Sequence, residues 1–169
     1  MTHRSIRPVT LDDAAAILDI YRYYVEETPY TFEESTPSIA EITHRIQTIQ
    51  ATHPYLVLEE AGQIQGYAYA HPFHEREAYR YAVEISIYVA DKTRSRGAGS
   101  LLYEALEEAL VQAGYTLLIS IITDTNTASL NFHQKHGFTQ AGHLPKVGYQ
   151  FQRWYGTYYY IKPLEQNSF

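Results

Sequence analysis

The sequence predicts an α/β sandwich built on a mixed central sheet, and three observations predict it. Extended and helical patterns follow one another in the order β-α-α-β-β-β-α-β-α-β-β. One segment, Val83 to Val89, alternates strictly, whereas Tyr115 to Thr123 is a near-continuous apolar run of the kind a strand covered on both faces requires. Neither an internal repeat nor a low-complexity linker interrupts the 169 residues, so 1–169 is read as a single domain large enough to bury a core without staples.

Ser5 to Val9 is a short extended segment, and Thr10 with Asp12 and Asp13 marks the helix start that follows it. Ile17, Leu18, Tyr21, Tyr24 and Val25 recur behind it at helical spacing. Ser38 followed by Glu41 reads as a capping box opening a second helix through Ile42, Ile46 and Ile49. Tyr55 to Leu58 and Ile64 to Tyr69, joined across Ala61-Gly62-Gln63, form an antiparallel hairpin. In the alternating strand, Val83, Ile85, Ile87 and Val89 share one face, and Glu84, Ser86 and Tyr88 share the other. Gly99 to Ala113 carries a leucine-rich stripe and stops at Gly114; Asn126 to His136 is a shorter helix closed by Gly137. Strand patterns then run from Phe138 through Ile161.

Composition narrows the function. Thirteen basic against nineteen acidic side chains leave a net charge of −6, which argues against a nucleic-acid or anionic-membrane binder. The absence of cysteine removes disulfides, thiolate metal sites and a cysteine nucleophile, and suits a reducing cytosol. Asp12 and Asp13 interrupt the place where a secretory apolar stretch would run, so a cytoplasmic location is expected.

The chemistry concentrates between the alternating strand and its helix. Arg94-Ser95-Arg96-Gly97-Ala98-Gly99-Ser100 places two glycines at a helix start, where backbone N–H groups can cradle a phosphate; a simple turn is the alternative. Leu102 stands where a dinucleotide fingerprint needs a third small residue, and no Gly-Lys-Ser/Thr exists for a P-loop.

A strand ending at Val89 followed by Arg-x-x-Gly-x-Gly resembles the acetyl-CoA pyrophosphate loop of the GNAT N-acetyltransferases. Arg76 to Val89, Asn126 to His133 with Gly137-Phe138, and Val147-Gly148-Tyr149 with Trp154 are similar to the phosphinothricin and methionine sulfoximine acetyltransferase branch. The resemblance implies a mostly antiparallel sheet with helices on both faces, acetyl-CoA as cosubstrate, no metal, a small amino-acid-like acceptor and a homodimer.

It also implies roles. Glu84, an acid between Val83 and Ile85, matches the branch's proposed general base; an outward-facing surface acid is the competing reading. His133 stands where many members carry the tyrosine that protonates the thiolate, and as an imidazole it could serve as acid or base, or only meet the helix dipole. Arg76 and Tyr79, with Glu84, Ile85 and Ser86, are the implied acceptor site, an arginine fork being a natural carboxylate receptor; a surface salt bridge in the charge-rich His74-Glu75-Arg76-Glu77 stretch is the competing reading of Arg76. Ile87, Tyr88, Val89, the segment Arg94 to Ser100 and Asn126 are the implied coenzyme site, although Asn126 could equally be an N-cap. Two departures stand out: the branch's lysine after the Gly-Tyr pair is Gln150, and its aspartate after the tryptophan is Gly156. With no cysteine and no evident Ser-His-Asp arrangement, direct transfer is expected. A protein N-terminal or polyamine acetyltransferase and a non-catalytic acyl-CoA sensor are the alternatives.

Overall fold

The computed structural model describes residues 3–93 and 96–165. Its elements follow the expected order: β1 (Arg4–Pro8), α1 (Ala14–Glu27), α2 (Ile39–Gln50), β2 (Tyr55–Glu60), β3 (Gln63–Pro72), β4 (Ala82–Val89), α3 (Ala98–Gln112), β5 (Leu117–Thr123), α4 (Thr127–Lys135), β6 (Thr139–Gln150) and β7 (Arg153–Pro163). Short 3-10 turns at Leu11–Asp13, Glu77–Tyr79 and Asp91–Thr93 punctuate the connections.

The strands form one sheet in the order β1-β2-β3-β4-β5-β7-β6. Every neighbouring pair is antiparallel except β4 and β5, which the α3 crossover forces to run parallel. Helices cover both faces. On one, Ile17, Leu18, Tyr21 and Val25 of α1 and Ile42 and Ile46 of α2 pack onto Tyr55, Val57 and Tyr67. On the other, Leu102, Leu106 and Leu110 of α3 pack onto Leu58, Ala68, Ala70, Val83 and Ile85. The alternation in β4 thus sends its aliphatic residues to the α3 face and Glu84, Ser86 and Tyr88 to the α1 face.

Three local details differ from the sequence pattern, each for a physical reason. Leu11–Asp13 is a 3-10 turn ahead of α1, held by Asp13, whose carboxylate accepts from the Thr10 N–H at 2.8 Å and from the Arg7 fork at 2.8 and 2.9 Å. The Ser38–Glu41 box is half formed: Ser38 Oγ accepts from the Glu41 N–H at 3.1 Å, but the Glu41 carboxylate accepts from Arg45 Nε at 3.2 Å instead. The strand expected from Tyr115 starts at Leu117, because the Tyr115 N–H closes α3 by donating to Leu110 O, across Gly114 at φ 88°.

The register of the parallel pair positions the site. Pairing joins Ala82 with Leu117, Val83 with Leu118 and Glu84 with Ile119, and then stops. Beyond it β4 stays bound to β3 and β5 to β7, so the two strands part and, among the described residues, their facing edges have no partner strand.

Candidate active site

The parting strands open a cavity of about 570 Å³ that passes between the two faces of the sheet. Its walls include Glu84 through Val89 of β4, Ser120 through Thr123 of β5, Gly97, Gly99 and Ser100 at the start of α3, and Asn126, Phe132 and His133 of the α4 segment. Ile121, within the run expected to be covered on both faces, is 36% exposed because it faces this opening.

Glu84 sits at the last paired rung, where the strands begin to diverge. Its side chain keeps 23% of its exposure, and burial pushes its carboxyl above the usual range, opposed by the charge of His71 and His74 when protonated. A carboxylate of raised proton affinity beside an open cavity suits proton abstraction near neutral pH.

His133 enters from the other face and is buried. Its Nδ1 lies 2.7 Å from Ser129 O, an acceptor only, so Nδ1 carries the proton. Nε2 then accepts from the Ser120 hydroxyl at 2.9 Å. Burial drives the ring's pKa down to about 4, which leaves the imidazole neutral at physiological pH. Ser120 and His133 therefore form a serine–imidazole pair that spacing alone does not reveal, with a backbone carbonyl in the third position. His136, nearer the helix end, meets Ser100 Oγ at 3.0 Å through Nε2.

At the start of α3, Gly97 adopts φ 77° and precedes the helix, whose first helical bond is Leu101 N to Gly97 O. The N–H groups of Ala98, Gly99 and Ser100 have no helical acceptor and remain for an anion. Ala98 is fully buried in the α3 core, so only its backbone can serve. Gly99 lies against Phe132, and a Cβ there would approach the ring to 3.3 Å. Arg96 is engaged elsewhere: its guanidinium reaches Glu60 at 3.2 Å and its carbonyl accepts from Arg4 at 2.6 Å. Arg94 and Ser95 lie outside the described residues. Asn126 is an N-cap, its Oδ1 accepting from the Ser129 N–H at 3.2 Å, and it also lines the cavity. Lys135 adds a cation to the same wall.

Arg76 and Tyr79 are not brought into this cavity within one chain. They occupy the exposed β3–β4 loop and line a separate shallow depression with Phe73 and His74. In their place the structure brings Tyr24 and a loop segment that the sequence pattern does not single out. Tyr30, Thr31 and Phe32 of the α1–α2 loop close one side of the cavity, and Tyr24 donates its hydroxyl to Val89 O.

Both departures from the branch acquire a physical role. The buried Gln150 amide donates to Pro29 O, and the Phe32 ring packs onto Gly148, where a Cβ would come within 2.5 Å; together they tie the α1–α2 loop to the β6–β7 arm. At Gly156 a Cβ would lie 2.6 Å from Asp124 Oδ2 and 2.9 Å from His143 Nε2. The Asp124 carboxylate, accepting from the Gly156 N–H at 3.1 Å, fills space that a side chain at 156 would take.

A split sheet that places a helix start and a partly buried carboxylate in one cavity can hold an extended anionic ligand beside a group able to take a proton, as a group-transfer enzyme requires. The family model for the acetyltransferase (GNAT) domain matches residues 6–158. Phosphinothricin N-acetyltransferase of Alcaligenes faecalis is 38% identical over 162 residues, covering 95% of this chain and 82% of that protein. The L-methionine sulfoximine/L-methionine sulfone acetyltransferase of Pseudomonas aeruginosa is 34% identical over 152 residues, covering 89% and 88%. A solved GNAT phosphinothricin acetyltransferase from Sinorhizobium meliloti, in complex with acetyl-CoA, superimposes with a TM-score of 0.92 at 34% identity, covering 95% of this chain and 88% of that one. The chain belongs to the GNAT acetyltransferase family and is an acetyl-CoA-dependent N-acetyltransferase.

Proposed function

We propose that this chain, working as one domain, transfers the acetyl group of acetyl-CoA directly to the amine of a small amino acid or glutamate-like analogue of the phosphinothricin, methionine sulfoximine or methionine sulfone type. The observation that carries the reading is Glu84 at the head of the split between β4 and β5, in one cavity with the free N–H groups of α3. The similarity to relatives that act on such acceptors supports the substrate class.

Glu84 takes one proton from the acceptor ammonium. The neutral amine then attacks the thioester carbonyl, the C–N bond forms, the C–S bond breaks, and the amine's second proton balances the departing thiolate. The edge of β4 from Ile85 to Val89 that β5 does not cover holds the coenzyme arm, Val89 O already accepting from Tyr24, and the start of α3 with Lys135 holds its diphosphate. His133 acts as a neutral ring: its proton is committed to Ser129 O, so it accepts at Nε2 and holds Ser120 at the wall rather than supplying a proton.

Arg76 binds the acceptor's carboxylate, with Tyr79 beside it, in a homodimer that completes the acceptor site. The exposed apolar stretch of the β6–β7 arm, with Val147, Tyr149, Phe151 and Trp154 all about half exposed, supports that assembly. Among the described residues no helix is long and apolar enough to cross a membrane, and a cytoplasmic location fits the use of acetyl-CoA.

Thiol release assayed over a panel of amino acids and their decarboxylated amines tests the function. Turnover confined to acceptors with a carboxylate beside the amine is expected, and it should fall roughly 30-fold or more in Arg76→Ala. Equal turnover of the decarboxylated amines, or coenzyme binding without turnover of any amine, would overturn the reading.

A further inference from the structure

We propose that His71 is a positioning residue for Glu84: protonated at Nε2, it holds the Glu84 carboxylate ionised and fixed at the head of the cleft, so that the base keeps working as the pH falls. This inference rests on the reading of Glu84 as the base.

The geometry begins with register. His71 on β3 is the direct cross-strand partner of Glu84 on β4, and both project from the α1 face. Nδ1 of His71 lies 3.1 Å from Pro72 O, which can only accept, so Nδ1 carries a proton and the ring's orientation is set. Nε2 is thereby turned to Glu84 Oε2 at 3.5 Å. A bare lone pair opposite an acceptor-only carboxylate gains nothing, whereas a proton at Nε2 forms a charge-assisted contact. His71 keeps 34% of its side-chain exposure, so protons from solvent reach it, and Glu84 keeps 23%.

The surroundings leave this task to the histidines. The groups facing Glu84 are His71 and His74, whose charges oppose the effect of burial, and Tyr69 on β3. The groups facing His71 are Glu84, Tyr69, whose ring centroid is 6.1 Å away, and His53 at the end of the α2–β2 turn. Beyond Tyr69 the next charges, Glu33 and Arg45, are committed to each other at 2.6 Å. Neither an arginine nor a lysine faces the Glu84 carboxylate among the described residues, so what offsets its burial is cationic only when a histidine is protonated.

The sign follows directly. Removing a cation beside a carboxylate raises its affinity for protons, so the acidic limb of kcat/KM for the amine should move to higher pH. In His71→Asn, which keeps a polar side chain but cannot become charged, we expect a shift of about one pH unit and a roughly tenfold loss well below the limb. The alkaline plateau and the KM for acetyl-CoA should stay within about twofold of wild type. His71→Lys, with a permanent charge, should return the limb to the wild-type position or below. A surface ion pair without function would leave the limb where it is, and a structural role would lower the rate evenly at every pH. Either result would overturn the inference. Glu84→Gln measured in parallel separates the two readings. If it retains wild-type turnover, Glu84 is not the base. If it loses turnover while the limb of His71→Asn does not move, only the role of His71 fails.

Discussion

The two faces of the split sheet treat their titratable groups in opposite ways. On the α1 face Glu84 is buried enough to favour its neutral form, yet it keeps a cross-strand histidine, a second histidine nearby and a path to solvent. On the α3 face His133 is buried as well, but both ring nitrogens are satisfied by groups that do not ionise, Ser120 and the Ser129 carbonyl. Desolvation acts on both and, because one group is an acid and the other a base, it raises the first and lowers the second. The partners decide the rest: Glu84 is left adjustable and able to take a proton, and His133 is locked neutral. Similar burial thus leaves the two groups with different capacities to exchange a proton, and the difference lies in their partners.

Breaking the α1 side should have the largest effect. Glu84→Gln keeps the shape and removes the proposed base, so kcat should fall about 100-fold or more, with an unchanged KM for acetyl-CoA. A loss below about tenfold would move the proton acceptor elsewhere. On the α3 side the effect should appear in stability. The unfolded ring binds a proton below its ordinary pKa of 6.5, whereas the folded ring resists until about 4. Stability is therefore fully present above the unfolded value and falls as the pH drops through that window, by about 3 kcal/mol. In His133→Gln that part of the acid sensitivity should vanish, which urea unfolding near pH 7 and near pH 4 would register. An undiminished pH dependence would mean that the ring is charged in the fold.

A smaller effect sharpens the reading of Gly156. An aspartate there would place a Cβ 2.6 Å from Asp124 Oδ2 and 2.9 Å from Leu144 O, and would set a second carboxylate against the first. Gly156→Asp should cost about 1–3 kcal/mol of stability, and adding Asp124→Ser should recover part of it, because the contact of the Cβ with the Leu144 carbonyl at 2.9 Å remains. Additive losses would show that Asp124 does not occupy the vacated place.

The fold was largely legible because its signals are local. Strand alternation, the Gly114 and Gly137 helix ends and the Ala61-Gly62 turn each depend on a few adjacent residues, and the element order follows from them. The identity of the cleft residues was legible for the same reason: Glu84 through Val89 and the α3 start are contiguous stretches. What stayed hidden depends on register between distant segments. His71 faces Glu84 only because β3 and β4 pair in one register, and Ser120 reaches His133 only because α4 folds back over β5. The Gln150 anchor spans from the end of β6 to Pro29, and no spacing in the sequence announces it. Arg76 was readable as a candidate carboxylate receptor, but its place on an exposed loop outside the single-chain cavity was not.

The contrast between the two faces is tested most directly by the pH dependence of kcat/KM for the amine in wild type and in His133→Gln. If Glu84 is the base, as proposed, the acidic limb is its own and the His133 ring stays neutral over that range, so the variant should keep the wild-type limb at the same pH, whatever it loses in overall rate. A limb that disappears or moves by about one unit or more in His133→Gln would place the titrating base on the α3 face and contradict the assignment.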